Sequence, residues 1–437
     1  MRDRIGQALS PQHLFGLMAR SFITLATGEG LARAIGVVTT ILLVRRLNPG
    51  GFGLVSLGIA LVGWFRLVVD SGTESLNVRE ISRRPDRFRE ITDPVLGLRL
   101  ILSVVAAALF VIGGYALTTA PTSRTVLLRF ALVLPAVAIN LRWMVLGIRQ
   151  ARAVAIGNVA SRLAVLIGVL AVVTHPHDTG RVPFLEAIAE ATYAMVIIVI
   201  VARSFGFVRP RIDIAKWKAT LKESSPLFIY GACRATILTV DLFLIQLILG
   251  PLRVGWYGAG IRPGVFFLGA MGLFSVSFLS AFSAAHDREA FTLFRRTARL
   301  TTGSMTVVAA VVAATSSVVV PLIYDDRYDP SIAVLAIFIW TLPLAALDVN
   351  YASALIARER QGLLMGNNIV GALFAVGACA AVIPWLGIDG AAGVRVATYA
   401  LVLGLNHRSC VRNHLAPSVF AILGRGAPTP QLERSSA

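Results

Sequence analysis

The chain has 437 residues, of which 56% are hydrophobic and only 15% charged, and its formal net charge is +18. Soluble globular proteins contain about 45–50% apolar and about 25% charged residues, so this composition excludes a soluble protein. The positive charge alone would suggest nucleic-acid binding, but the mean hydropathy of +0.75 argues against that class.

Twelve apolar stretches are long enough to cross the hydrocarbon core of a membrane as helices. The apolar stretch nearest the N-terminus is too long for a signal peptide, and no loop is long enough to form a soluble domain. In chain order the stretches are 21–44, 52–72, 94–117, 125–148, 153–174, 183–203, 225–249, 255–283, 298–323, 331–357, 363–386 and 389–407.

Basic residues are distributed unevenly between the two sides of this topology. With the N-terminus inside, 26 of the 41 basic residues fall on the inner side and six on the outer side. The positive-inside rule then predicts a multi-pass protein of the cytoplasmic (inner) membrane with both termini in the cytoplasm. Arg45 and Arg46 lie on the outer side and oppose this rule, so the first helical hairpin is the weakest part of the predicted topology. The six outer residues are Arg45, Arg46, Arg124, Arg181, Arg253 and Arg327.

A degenerate repeat relates the two halves of the chain at an offset of about 202 residues. The matching residues are Pro49 and Pro251, Gly53 and Gly255, and Gly58 and Gly260. The repeat predicts two six-helix bundles related by an axis along the membrane normal. The predicted divisions are a cytoplasmic leader at 1–20, an N-terminal bundle at 21–203, a cytoplasmic basic linker at 204–222, a C-terminal bundle at 223–410 and a cytoplasmic tail at 411–437.

Ionisable residues inside the predicted helices should face the protein interior or a watery cavity, because each costs about 2.5–3.5 kcal/mol in a membrane. Arg33 lies four residues after Glu29, and Asp70 lies four residues after Arg66. This spacing puts each pair on one helix face and predicts two ion pairs. Arg234 and Asp241, seven residues apart, also share a face.

Arginine outnumbers the acids among these residues. A guanidinium stays charged in a partly dry site and binds phosphate through two parallel hydrogen bonds, so we predict a cationic cavity for a phosphate or pyrophosphate group. Arg99, Arg129 and Arg162 are expected to pair or to reach the interface instead. The Arg262-Pro263-Gly264 triplet predicts a helix break beside the cavity, as do Pro135 and Pro343, with an ordinary packing kink as the alternative at each position. The candidate substrate-binding residues are Arg33, Arg142, Arg234, Arg262 and Arg395.

Buried carboxylates are candidates for coupling transport to a cation gradient. Pairing with a neighbouring arginine is the alternative role for Glu29 and Asp70. The ion-coupling candidates are Glu29, Asp70, Asp241 and Asp348, with Glu186 and Glu190 as further buried acids.

No motif in the sequence predicts catalysis, a cofactor or a metal. There is no Gly-x-Ser-x-Gly and no Walker A segment. The three cysteines, Cys233, Cys379 and Cys410, are scattered without metal-ligand spacing, and the run from His175 to Asp178 has no supporting third ligand within its segment. We therefore expect a protein that is not an enzyme and that has no cofactor and no metal.

Four passages together resemble the Wzx-like polysaccharide flippases of the MATE-like (MOP) flippase superfamily, over about residues 15–410. The first is Leu47-Asn48-Pro49 to Phe52-Gly53, with Ala60, and the second is Asp70-Ser71-Gly72 with Arg79. The third runs from Asp241 through Leu249-Gly250-Pro251 to Ala259. The fourth combines Pro321-Leu322-Ile323 and Tyr328 with Gly387-Ile388-Asp389-Gly390-Ala391-Ala392.

This resemblance implies a MATE-like fold, with two six-helix bundles around a cavity that opens alternately to either side. It implies a flippase for a polyprenyl-pyrophosphate-linked oligosaccharide, the repeat unit of an O-antigen, exopolysaccharide or capsule, held by the cationic residues above. The expected partners are this substrate and membrane lipids, with a polysaccharide polymerase and chain-length or export proteins as further candidates, and no nucleic acid. The alternatives are a multidrug or cation antiporter of the same superfamily and a membrane polysaccharide polymerase.

Overall fold

The computed structural model describes residues 11–84, 87–148, 150–284, 287–419 and 422. Residues 1–10 of the predicted leader and nearly all of the predicted tail beyond 419 lie outside them. In the described residues the chain forms fifteen α-helices and no strand. The helices are α1 Pro11–Arg46, α2 Pro49–Asp70, α3 Thr73–Arg83, α4 Phe88–Leu117, α5 Pro121–Arg129, α6 Val133–Ile139, α7 Arg142–Gly147, α8 Ala151–Val172, α9 Val182–Phe205, α10 Ile214–Leu249, α11 Pro251–Ala284, α12 Asp287–Tyr324, α13 Ser331–Phe338, α14 Thr341–Ala357 and α15 Gln361–Arg412.

Ten helical segments of the described chain are long and apolar enough to cross a membrane, judged by length and composition alone. One of them, α15, contains the last two predicted crossings. The two crossings are separated at Gly387, where the backbone is not helical (φ 59°, ψ −142°). The 34-residue helix α11 occupies the position of the predicted eighth crossing. The predicted all-helical membrane fold with about twelve crossings is therefore confirmed.

The helices begin and stay hydrogen-bonded through residues that the sequence supplies locally. Asn48 caps α2 by accepting a hydrogen bond from the Gly51 amide at 2.6 Å, and Pro49 at the first helical position needs no donor partner. Within the membrane helices, hydroxyls such as that of Thr39 donate to the carbonyl oxygen four residues earlier. Such bonds satisfy these hydroxyl groups in a region without water.

Proline interrupts the fourth crossing of each half. Helix α11, in contrast, continues through Arg262-Pro263-Gly264, so the break predicted there is wrong. A helix tolerates one missing amide donor when neighbouring helices surround the carbonyl group that is left without a partner. Pro135 follows a 3₁₀ turn at Phe130–Leu132, and Pro343 follows the interruption at 339–340 between α13 and α14. A proline leaves the carbonyl four residues earlier without a donor, so each break lies one turn upstream.

We call the loops at 47–48, 118–120, 173–181, 250 and 325–330 the hairpin end, and those at 71–72, 84, 206–213 and 358–360 the basic end. At the basic end the predicted linker is non-helical only from Gly206 to Asp213, and α10 begins at Ile214. Its Arg211 amide donates to the Asp93 carbonyl oxygen at 3.0 Å, and the Trp217 indole donates to the Pro94 carbonyl oxygen at 2.8 Å. The linker is thus docked on α4, while the predicted division boundaries remain predictions.

The repeated glycines form a reciprocal contact between the two halves at the hairpin end. A side chain at Gly53 would overlap the carbonyl oxygen of Pro251, and a side chain at Gly255 would overlap that of Pro49. Helices α2 and α11 therefore approach each other so closely that only glycine fits at either position. The exchange of equivalent residues is what a two-fold relation between the halves requires.

We expect Gly53→Ala to lower the thermal unfolding midpoint in detergent. The added methyl group would overlap backbone rather than a movable side chain, and overpacking of this kind costs about 1–3 kcal/mol. Gly63→Ala in the same helix is the matched control, since no atom lies within 4 Å of the position of its methyl group. Equal midpoints for the two variants would contradict the close contact of α2 with α11.

Candidate functional site

The two arginines that oppose the charge rule bind the ends of helices. Arg45 donates to two carbonyl oxygens at the end of α12, both at 2.7 Å. Arg46 donates to the Val169 carbonyl oxygen of α8 at 2.8 Å. The last carbonyls of a helix have no partner within it and carry partial negative charge. These two arginines are therefore explained by helix capping.

A second group of contacts at the hairpin end joins the two halves. Arg327 pairs with Asp325 at 2.7 Å and donates to the Arg45 carbonyl oxygen at 3.0 Å. The Tyr328 hydroxyl donates to the Val44 carbonyl oxygen at 3.2 Å. Hydrogen bonds from Arg327 hold the pKa of the Asp325 carboxyl below its usual range. We call this group, Val44, Arg45, Asp325, Arg327 and Tyr328, the hairpin-end clasp.

Several acids and arginines inside the N-terminal half are paired, although one pair differs from the prediction. Asp70 does not pair with Arg66; it pairs with Arg99 of α4 at 2.5 Å. Arg66 instead binds both oxygens of Glu190 on α9, at 3.3 and 2.5 Å, and Asn140 donates to the same carboxylate at 3.0 Å. Helix packing, rather than spacing along α2, thus decides these partners.

Glu29 and Arg33 form the other predicted pair, at 3.1 Å. Asn158 of α8 donates to the second Glu29 oxygen at 2.9 Å. A side chain at Gly269 of α11 would overlap the Arg33 guanidinium. Arg33 therefore lies at the contact between α1 and α11, where the two halves meet.

In the C-terminal half Arg395 is buried and bound to Asp241. The two side chains are 3% and 1% exposed, and both Arg395 and the Tyr257 hydroxyl donate to the same Asp241 oxygen. Arg395 also donates to the Leu238 carbonyl oxygen at 2.8 Å. This cluster connects α10, α11 and α15, and neither charged group lines a described cavity.

The remaining predicted residues lie at other places in the two halves. Asp348 is buried and accepts a hydrogen bond from Asn406 at 2.7 Å, and the charge of Arg234 acts on it. Arg142 pairs with Glu74 at 2.5 Å near the basic end. The structure therefore does not bring Arg142, Arg234 and Arg395 together with Arg33 and Arg262.

A polar chamber of about 370 Å³ lies between α1, α2, α8, α9 and α11. Its charged lining residues are Arg66, Arg162, Glu186, Glu190 and Arg262. Arg262 comes from the C-terminal half and reaches the Ser56 hydroxyl of α2, at 3.3 Å. The polar chamber therefore contains side chains from both halves of the protein.

An apolar chamber of about 710 Å³ adjoins the polar chamber. Its lining comes from α1, α8, α11 and α12 and includes the apolar side chains of Val37, Ile41 and Phe266. The two chambers share Asn158, Arg162 and Arg262. Two guanidinium groups thus stand where a polar space meets an apolar one.

Three charged groups of the chambers are left without an ion pair. Arg33 pairs with Glu29, and Arg66 pairs with Glu190. Among the residues that the structure describes, neither Arg162 nor Arg262 has an acid within ion-pair distance, and Glu186 has no hydrogen bond or ion pair. The unpaired groups carry two positive charges and one negative charge.

The sequence analysis expected Arg162 to pair or to reach the interface and left Arg66 outside the candidate site, yet both line the polar chamber. Spacing offered a signal for these residues. Asn158 and Arg162 are four residues apart on α8, and Glu186 and Glu190 are four apart on α9. Each pair occupies one helix face, and a face with two polar residues in an apolar helix indicates an interior cavity.

The histidines at the hairpin end do not form a convincing metal site. Ligand atoms of His175, His177 and Asp178 lie within 4.8 Å of one another, so the structure adds a third group to the two histidines. However, the two rings are only 18° from parallel, whereas a metal must lie in the plane of each ring. Arg181 also occupies the Asp178 carboxylate, at 2.9 Å.

Comparison with known proteins identifies the family. The family described as polysaccharide biosynthesis protein matches residues 18–278, more than half of the chain. The chain belongs to this family. In sequence, no curated protein matches it.

The fold is shared with solved membrane transporters of the MOP superfamily. An inward-facing multidrug resistance MATE family transporter superposes with a TM-score of 0.71 at 13% identity, over 88% of this chain and 95% of that one. The lipid II flippase MurJ, in an inward closed conformation, gives 0.70 at 13% identity over 90% and 88%. A MOP superfamily transporter from Pyrococcus furiosus with reverse polarity of its binding pocket gives 0.59 at 13% identity, over 91% and 95%. The predicted MATE-like fold of two six-helix bundles is confirmed.

We expect Arg395→Met to destabilise the protein rather than weaken a binding site. Removing one partner of a buried pair leaves the other charge uncompensated and costs about 3–5 kcal/mol. The double variant Asp241→Asn with Arg395→Met removes both charges and should recover much of the loss in thermal unfolding midpoint. A single variant that stays as stable as the wild type but loses ligand binding would instead place Arg395 in the binding site.

Proposed function

We propose that this protein is a flippase that moves a polyprenyl-pyrophosphate-linked oligosaccharide across the cytoplasmic membrane by alternating access. The observation that carries the proposal is the position of Arg162 and Arg262, two guanidinium groups without acid partners where the polar and apolar chambers meet. The cargo is built in the same order as the two chambers, because its anionic pyrophosphate lies between a polar glycan and an apolar hydrocarbon chain.

The pyrophosphate is the part of the cargo that this arrangement suits best. Guanidinium binds phosphate oxygens through two parallel hydrogen bonds and keeps its charge when water is scarce. Of the cationic residues predicted from sequence, Arg262 would serve this role, together with Arg162, while Arg33 and Arg66 stay paired with their acids in the chamber walls. The glycan would extend into the polar chamber, and the polyprenyl chain would follow the apolar chamber toward the lipid.

Transport would require the hairpin end to open and close. The contact of Gly53 with Pro251, its counterpart between Gly255 and Pro49, and the hairpin-end clasp hold the two halves together there. Opening would break backbone contacts, the exposed hydrogen bond of Arg327 and the buried hydrogen bond of Tyr328, but no buried ion pair. In the proposed orientation the termini and the basic end face the cytoplasm, as the positive-inside rule favours.

A multidrug or cation antiporter is the second candidate within this fold, and the chamber charge disfavours it. Organic cations require a surplus of acids, whereas Arg33, Arg66, Arg162 and Arg262 outnumber Glu29, Glu186 and Glu190 in the two chambers. We also propose a transporter rather than an enzyme such as a polymerase. A polymerase and chain-length or export proteins would then act after the flippase on its product.

We expect Arg262→Ala and Arg162→Ala each to reduce transport of a fluorescent lipid-linked pyrophosphoryl oligosaccharide in proteoliposomes about ten- to one-hundred-fold. The loss of a charge-assisted hydrogen bond of about 1.5–3 kcal/mol sets this range. Arg152→Ala is the matched control, because Arg152 is an exposed arginine of the same helix α8 and lines neither chamber. Its transport should equal that of the wild type.

Two results would contradict the proposal. One is full transport by both chamber variants at wild-type protein levels. The other is equal transport of a polyprenyl glycan that lacks the pyrophosphate, since the unpaired guanidinium groups would then have no part in recognition. In cells, depletion of the protein should cause the lipid-linked oligosaccharide to accumulate in the inner leaflet.

A further inference from the structure

Glu186 is unlike the other acids of the chambers. Glu29 is held by Arg33 and Asn158, and Glu190 is held by Arg66 and Asn140. Glu186 lines the polar chamber but has no hydrogen bond or ion pair among the described residues. A carboxylate without a partner inside a membrane protein is costly, so its presence indicates a function.

The charged groups around Glu186 come from several elements packed about the chamber. Arg162 of α8, Arg262 of α11 and Arg66 of α2 are its cations, and Glu190 on its own helix is its acidic neighbour. Within the described lining, α1 contributes no charged group to the polar chamber, and the linings at Phe130 and Val133 are apolar. Since Arg66 is already bound to Glu190, the free cations that face Glu186 are Arg162 and Arg262.

We propose that Glu186 is a built-in competitor for these two guanidinium groups, and that its protonation state sets how tightly the chamber holds an anion. This inference rests on the proposed function, which assigns the same guanidinium groups to the pyrophosphate. In the empty protein, the carboxylate balances one of the two free positive charges. A bound anion replaces the Glu186 carboxylate as the partner of the guanidinium groups. The negative charge of Glu186 then repels the anion and weakens the complex, unless a proton neutralises Glu186.

The arrangement gives the transporter a means of release. Two unopposed guanidinium groups in a partly dry chamber would hold a pyrophosphate so strongly that its departure would be slow. An ionised Glu186 beside the bound anion lowers that affinity, while a protonated Glu186 restores it. The affinity of the chamber for an anion would therefore fall as Glu186 loses its proton.

The test compares binding of farnesyl pyrophosphate to the wild type and to Glu186→Gln in nanodiscs between pH 5.5 and 8.5. The ratio of the two affinities is decisive, because titration of the probe itself affects both proteins equally. At high pH the variant should bind on the order of ten-fold more tightly, since it lacks the opposing charge. At low pH the ratio should approach one, since Glu186 is then neutral in the wild type.

Two further variants separate this role from a structural one. Glu186→Asp keeps the carboxylate and should retain the pH profile of the wild type. Glu29→Gln removes an acid that is already paired with Arg33, so its affinity ratio to the wild type should not change with pH. A pH-dependent ratio for Glu29→Gln equal to that of Glu186→Gln would assign the effect to general chamber charge and overturn the inference.

The outcomes also distinguish the inference from the proposed function. If the wild type binds the probe and Glu186→Gln keeps the wild-type pH profile, the competitor role is wrong and the proposed function stands. If the wild type does not bind the probe at any pH, the cationic site itself is wrong, and the inference fails with it.

Discussion

The cost of an unpaired charge in a hydrocarbon environment is the constraint on which this structure depends. An isolated charge inside a membrane helix costs several kcal/mol, and the protein meets this cost with ion pairs between different helices. Asp70 with Arg99, Arg66 with Glu190 and Asp241 with Arg395 each join two helices. Against this background of pairing, the groups left over at the meeting of the two chambers stand out as the functional part of the interior.

The two-fold relation of the halves places those groups where they can act. Gly53 and Gly255 let α2 and α11 approach closely at the hairpin end. The same two helices carry Arg66 and Arg262 toward the polar chamber, so movement of one half against the other changes the distance between charges that face the cargo. A contact made of glycine and backbone atoms, held by the few side-chain hydrogen bonds of the hairpin-end clasp, suits two surfaces that must separate and meet again.

Sequence alone predicts the features that depend on local spacing. Hydropathy gives the membrane crossings, the Pro-Gly repeat gives the two halves, and the four-residue spacing of Glu29 and Arg33 gives their ion pair. It fails where tertiary packing selects among partners: Asp70 has Arg66 one turn away but binds Arg99 from another helix. It also cannot separate Arg395, buried against Asp241, from Arg262, which faces a cavity, because both are arginines inside apolar helices.

The charged residues that line the chambers explain why a surplus of arginine need not bind an anion too tightly for release. Arg33 and Arg66 hold their acids and shape the walls, so only Arg162 and Arg262 remain for a ligand. Glu186 reduces their combined charge from two to one in the absence of a proton. A transporter must release what it binds, and binding that is equally strong in both conformations moves nothing. A chamber whose net charge depends on one carboxylate therefore allows strong recognition of an anionic headgroup and its release by the same residues.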